Sequence, residues 1–126
     1  MATVISETPA ALWVSSTAAV NTALTLTLPA VANCFHYIVY IELVKLYAVV
    51  GTASAAGVII TTTNLPGSPS FTTEQAAGAL GTAPAVIKLA PTHPIQSSVI
   101  NTATTLIAPA QAQTIWRWNV CYFAAP

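Results

Sequence analysis

Cys34-x-His36 is the densest pairing of chemically capable side chains in the chain, and Glu42 follows within the same apolar run, CFHYIVYIELVKLYAVV. In an extended strand, residues two apart share a face, so Cys34, His36, Ile38, Tyr40 and Glu42 would line up. A thiol, an imidazole and a carboxylate so arranged could begin a metal site, as in a cupin-type sandwich enzyme. Metal centres need three or four converging ligands, however, and a strand histidine bonded to nearby groups is the simpler reading. His93 stands between Pro91 and Pro94 with no evident partner, the remaining acids are Glu7 and Glu74, and there is no aspartate. Serine-nucleophile motifs, phosphate loops and paired carboxylates are absent, and the glycines are scattered. An enzyme requires converging groups with tuned protonation. The expectation is a non-catalytic protein with no cofactor, no metal and no small-molecule substrate.

The aromatic residues form the second constellation. Trp116, Trp118 and Tyr122 alternate in TIWRWNVCYF, which puts them on one strand face, with Arg117 pointing the other way. A row of aromatics can stack nucleic-acid bases, but that mode also needs a basic groove. Lys45, Lys88 and Arg117 are the only Lys and Arg residues, they are dispersed, and the net charge is zero. Packing or a subunit interface is therefore expected for Trp13, Tyr40, Tyr47, Trp116, Trp118 and Tyr122. A glycan site would need exposed aromatics beside polar groups, and Trp13, Tyr40, Tyr47 or Trp116 could supply one.

The elements that hold these residues read as strands. Helical periodicity is nearly absent, and TTEQAAGAL, at 72–80, reads as a loop with at most one helical turn because glycine and proline crowd it. Strand patterns fall at 11–18, at 22–28, in a long run from Cys34 to Val50, and at 58–65. A short one follows Phe71, and others fall at 85–91, 97–108 and 114–123. In TALTLTL the leucines take one face and the threonines the other, as in a half-buried strand. The long run is apolar on both faces, with Phe35, Tyr37, Val39, Ile41 and Leu43 on the stronger one, and belongs in the middle of the structure, as one strand or two joined by a bulge. GTASAAG reads as a small-residue loop. About eight short strands without crossover helices predict an all-β chain: one antiparallel two-sheet β-sandwich of jelly-roll type over residues 1–126, with 1–10 as an extended N-terminal arm. An immunoglobulin-type sandwich fits less well, since the Cys…Trp…Cys spacing is missing.

NTALTLTLPA at Asn21–Ala30 and NTATTLIAPA at Asn101–Ala110 match at seven of ten positions. Each enters an aromatic, β-branched run through a proline turn. After the turn, the stronger apolar face takes odd positions in the first copy and even positions in the second. A one-residue slip reverses which side faces the core, so the pair reads as one local device used twice rather than as a duplicated unit.

Composition bounds the partners. Charged residues are 5% of the 126 and hydrophobic ones 55%, against roughly 25% charged in an average soluble domain. Without like-charge repulsion such a surface associates readily, so a homo-oligomer or larger assembly is expected. The apolar run is broken by His36, Glu42 and Lys45 and falls short of the roughly 20 residues of a spanning helix. The start, MATVISETPAALW, lacks the basic and apolar regions of a signal peptide. Synthesis in a reducing cytoplasm, with no membrane partner, is the expectation. Cys34 and Cys121 both fall in strand patterns and read as buried free thiols, with a disulfide as the alternative.

LTLPAVANCFHYIVYIELVKLYA resembles an LPAVAG-x-x-H-x-I-x-x-I-E segment of small β-sandwich proteins from tailed-bacteriophage particles. The resemblance continues through TTNLPGSPSF, PIQSSVINTATTL and the closing WRWNVCYF, covering about Thr22 to Phe123. It departs at Asn33, where the pattern has glycine, and at Cys34-Phe35, where basic residues are common. The resemblance implies a virion structural protein, a capsid decoration or cement protein acting as a homotrimer on the capsid surface and clamping major capsid protein subunits. A tail, head-fibre or receptor-binding module recognising a host glycan is the alternative. The resemblance transfers no catalytic residues.

Overall fold

The computed structural model describes residues 11–47, 54–75 and 85–126, and the expected arm at 1–10 lies outside them. The described residues form nine strands and no helix. In chain order they are β1 (Leu12–Thr17), β2 (Leu24–Leu28), β3 (Phe35–Tyr47), β4 (Ser54–Thr63), β5 (Phe71–Gln75), β6 (Ala85–Leu89), β7 (Ile95–Gln96), β8 (Thr104–Ala108) and β9 (Thr114–Ala125). One sheet has the order β1-β9-β3-β6, with β7 also on β3; the other runs β2-β8-β4-β5. Every pairing is antiparallel.

This order is that of a jelly roll. The pairs β1·β9, β2·β8, β3 with β6 and β7, and β4·β5 form one long antiparallel ribbon. Rolling the ribbon brings β9 beside β3 and β8 beside β4, which completes two sheets. Strands β6 and β7 are two pieces of one ribbon strand, split by the APTHP segment at 90–94. Proline cannot donate to the ladder, so a strand carrying two of them breaks.

The core lies between the sheets. Leu24, Leu26 and Leu28 of β2, Val58 and Ile60 of β4, and Leu106 and Ala108 of β8 face Ile38, Ile41 and Leu43 of β3 and Trp116, Trp118, Val120 and Tyr122 of β9. Beside β5 and β6 the packing leaves an apolar cavity of about 90 Å³ lined by Ile41, Ile60, Phe71, Ile87 and Trp118.

Several expectations need correction. The stronger face of the long strand does not stay on odd positions. The β3·β9 register shifts between Ile38 and Tyr40, so Val39 is the extra residue of a β-bulge. His36 and Ile38 are buried before it, Ile41, Leu43 and Lys45 after it, and Phe35, Tyr37 and Val39 are only half-buried. Residues 97–108 are not one strand: only Thr104–Ala108 continue as β8, while Ser98 N–H bonds to Asn64 O (2.9 Å) and Asn101 N–H to Cys34 O (3.2 Å) in the preceding turn. The GTASAAG stretch is strand from Ser54, and the short strand expected after Phe71 is β5, which takes Thr72–Gln75 from the stretch read as a loop; the rest of that stretch, 76–80, lies outside the described residues. Cys34 precedes β3 and is half-buried, whereas Cys121 lies in β9 and is buried; both are free thiols.

The two NTA copies also correspond more deeply than their parity predicts. Positions eighty apart repeat the same geometry. Asn21 and Asn101 have φ of 62° and 58°, and Asn33 and Gln113 have 56° and 62°. The Gln113 N–H donates to Asn21 Oδ1 (2.6 Å), and the Asn33 N–H donates to Asn101 Oδ1. Each asparagine thus clasps the turn that follows the other copy. Past the turns, His36 Nε2 lies 2.8 Å from Pro29 O and Trp116 Nε1 donates to Pro109 O at 2.9 Å. Strands β2 and β8 pair reciprocally about Leu26↔Leu106. The copies are two halves of a pseudo-two-fold arrangement, and the sequence misleads because the bulge at Val39 reverses the parity of β3 alone.

Candidate functional site

The bulge also disperses the Cys34, His36, Glu42 line. His36 turns inward and is 1% exposed. Its Nε2–H donates to the Pro29 carbonyl, and its Nδ1 lies 2.7 Å from Thr104 Oγ1. Thr104 Oγ1 also accepts from Asn64 Nδ2 (3.2 Å). The Tyr122 ring closes edge-on at 5.7 Å. Both imidazole nitrogens are hydrogen-bonded, and the residue joins β3 to β8 and to the β2–β3 turn. Beyond the bulge, Tyr40 and Glu42 fall on the opposite, outer face. Among the described residues, no three of His, Cys, Asp and Glu come together.

The six aromatic candidates separate into two groups. Trp116, Trp118 and Tyr122 are core residues; Trp118 Nε1 donates to Leu24 O (3.2 Å) in the facing sheet. A buried indole with its N–H satisfied across the sandwich is a packing element. Tyr47 is half-buried near the end of β3, beside Lys45, whose Nζ lies 5.5 Å from the Tyr47 ring centroid and 5.9 Å from that of Trp116. Trp13 and Tyr40 remain accessible, and the fold brings them together.

They meet on the outer face of the β1-β9-β3-β6 sheet. Cross-strand partners share a face, so the register defines its rows. Trp13, Cys121 and Tyr40 form one row across β1, β9 and β3. Ser15, Asn119, Glu42 and Lys88 form the next, reaching β6. Thr17, Arg117, Val44 and Val86 form a third. The Trp13 and Tyr40 rings lie 5.6 Å apart, tilted by 60°, over the buried Cys121. Trp13 is nevertheless 66% exposed. Tyr40 OH donates to Glu42 Oε2 (3.1 Å), and Asn119 Nδ2 donates to Glu42 Oε1 (2.9 Å). Burial, then the hydrogen bond to Glu42 and its charge, push the Tyr40 phenol above its ordinary value of 10.0, so it remains a donor at neutral pH. Lys88 and Arg117 are exposed on the same face.

The sequence singled out Trp13, Tyr40 and, as part of a metal-like line, Glu42, but not Asn119 or Lys88, nor the grouping of these residues on one face. Alternation in WRWN places Arg117 and Asn119 together opposite the core; only the register of β3, which depends on the bulge, places Glu42 beside them. Comparison with protein-family models, with curated proteins and with solved structures finds no match.

Proposed function

We propose that the chain is a virion structural protein of the capsid-decoration kind, which associates with copies of itself as a trimer, binds a major capsid lattice and performs no catalysis. The observation that carries this reading is the outer face of the second sheet. Thr27, Thr105 and Thr63 form one row there, and Thr25, Ile107 and Thr61 the next, with Ile59 and Thr72 beyond. None of these residues is charged. Thr63 Oγ1 and Thr105 Oγ1 bond to each other at 2.5 Å, and the Thr105 N–H also donates to Thr63 Oγ1 (3.2 Å). Hydroxyls already bonded within the face lose less hydration when a partner covers them. Ile59 is exposed on this face. The phage-particle resemblance of the strand-and-turn segments supports the particle setting.

Two measurements test the reading. Sedimentation of the purified protein is expected to show a trimer whose association changes little between 50 and 500 mM salt (roughly 14 to 4 Å of screening length), because few charges contribute. Purified particles are expected to contain the protein in a copy number tied to capsid symmetry. A salt-insensitive monomer absent from particles would sink the proposal, and a few copies per particle would move it to the tail or neck. A receptor-binding module is the second reading, favoured by the exposed Trp13 beside a hydrogen-bonded carboxylate.

A further inference from the structure

We propose that the outer face of the β1-β9-β3-β6 sheet is a saccharide-binding site, with Trp13 as the stacking platform and Glu42, Asn119, Ser15 and Lys88 as the hydroxyl-recognising row, selective for a neutral pyranose residue. The proposal holds whether the protein sits on a capsid, on a tail or on neither.

A pyranose has two recognisable surfaces. One face presents C–H groups with partial positive charge, and the rim presents hydroxyls that both donate and accept. An aromatic face carries negative quadrupolar charge and attracts such C–H groups, and indole offers the largest such area. Trp13 is the one Trp with its ring in water; Trp116 and Trp118 are 0% and 1% exposed. Its indole leans on Tyr40, which restrains the platform without covering it. Platforms held before binding lose less entropy on binding.

The hydroxyl-recognising row lies two residues along the strands, about 7 Å from the platform row, and spans about 14 Å from Ser15 to Lys88. Glu42 is held at both oxygens, by Tyr40 and by Asn119. A carboxylate offers about four lone-pair positions, so each oxygen keeps one for a sugar hydroxyl. Asn119 uses its amide N–H on Glu42, which fixes the flip of the side chain and leaves Oδ1 as an acceptor. Ser15 and Lys88, both exposed, supply donors at either end. An oriented acceptor pair beside an aromatic face suits a hydroxylated ring; it does not suit an apolar partner, which would desolvate Glu42 without replacing its hydrogen bonds. The acceptors also disfavour an acidic sugar directly above Glu42.

The experiment titrates the full-length protein with methyl glycosides of neutral hexoses, and in parallel with the methyl glycoside of sialic acid, following the three indole N–H signals by NMR. The expected result is a shift of the Trp13 signal alone, saturating with a dissociation constant on the order of 1 mM for a single shallow contact. Trp116 and Trp118, bonded internally to Pro109 and Leu24, serve as controls in the same spectrum. Trp13→Ala is expected to weaken binding at least tenfold and Trp13→Phe to restore part of it. Glu42→Gln, which keeps one acceptor oxygen, is expected to weaken binding severalfold. Trp13 is an exposed edge-strand residue, so its variants keep the fold, which unchanged Trp116 and Trp118 signals would verify. Absence of binding by every neutral glycoside, binding of the sialoside only, or binding unaffected by Trp13→Ala would each overturn the proposal.

Discussion

Asn64 ties the end of β4 to the turn before β8 and to the first residue of β8. With φ of 58°, it ends β4 in the left-handed region. Its Oδ1 accepts from Val99 N–H (2.8 Å), and its Nδ2 reaches Val99 O, Thr102 O and Thr104 Oγ1, each at 3.2 Å. Glycine at this position tolerates the backbone but removes the clasp, so Asn64→Gly should lower the unfolding free energy by about 2–3 kcal/mol. Asn64→Ala should cost about 1 kcal/mol more, because a Cβ at positive φ adds strain. Urea unfolding of both variants checks the order; equal losses would show that the conformation contributes nothing. Lys45 carries a charge that burial disfavours. It is 1% exposed on the inner side of β3, and burial pushes its pKa below 10.5. Between that lowered value and 10.5 the unfolded chain binds more protons than the folded one, so this contribution to stability rises with pH and fades as pH falls through the folded value. Relative to Lys45→Met, the native chain should therefore gain stability as pH is raised toward 10.5, measured by urea unfolding at several pH values. A pH-independent difference would contradict the assignment.

At the scale of elements, β3 shows what alternation reveals and what it hides. The leucine-threonine pattern of β2 and the even-position aromatics of β9 were legible, because each strand keeps one parity throughout. The parity of β3 was not, because Val39 shifts it midway and nothing in FHYIVYIELV marks the extra residue. That one residue separates Glu42 from His36 and delivers it to Asn119, so the metal-like line dissolved and the outer-face cluster went unseen. Deletion of Val39 leaves His36, Ile38, Ile41, Leu43 and Lys45 alternating inward without interruption. The deletion variant should accordingly fold with the same sheet order and lose no more than about 2 kcal/mol, and a variant that fails to fold would show that the bulge itself is required. Circular dichroism and one-dimensional NMR distinguish the outcomes. Likewise, β6 was legible as a strand and β7 was not, and only pairing on β3 shows that they are one ribbon strand divided by Pro91 and Pro94.

For the whole molecule, the eighty-residue correspondence supplies a framework that neither half could complete alone. The Asn21 clasp closes on Gln113 and the Asn101 clasp on Asn33, so each half secures the turn of the other. Fold class was legible because it depends on the period-two pattern and on the absence of helical runs. The reciprocity was not, since it depends on contacts between residues far apart in the chain. The nested ribbon has a further consequence for synthesis. Strand β1 pairs with β9, and β3 has β9 as its principal neighbour, so the first sheet cannot assemble until β9 has left the ribosome. Until then, Leu24, Ile38, Ile41 and Leu43 are translated without their facing side chains, in a chain with almost no charge to keep copies apart. Long-range β pairing is slow, and unpaired strands aggregate. Production at reduced temperature, where translation delivers fewer unfinished chains at a time, should yield a larger soluble fraction than production at 37 °C, by solubility assay after matched expression.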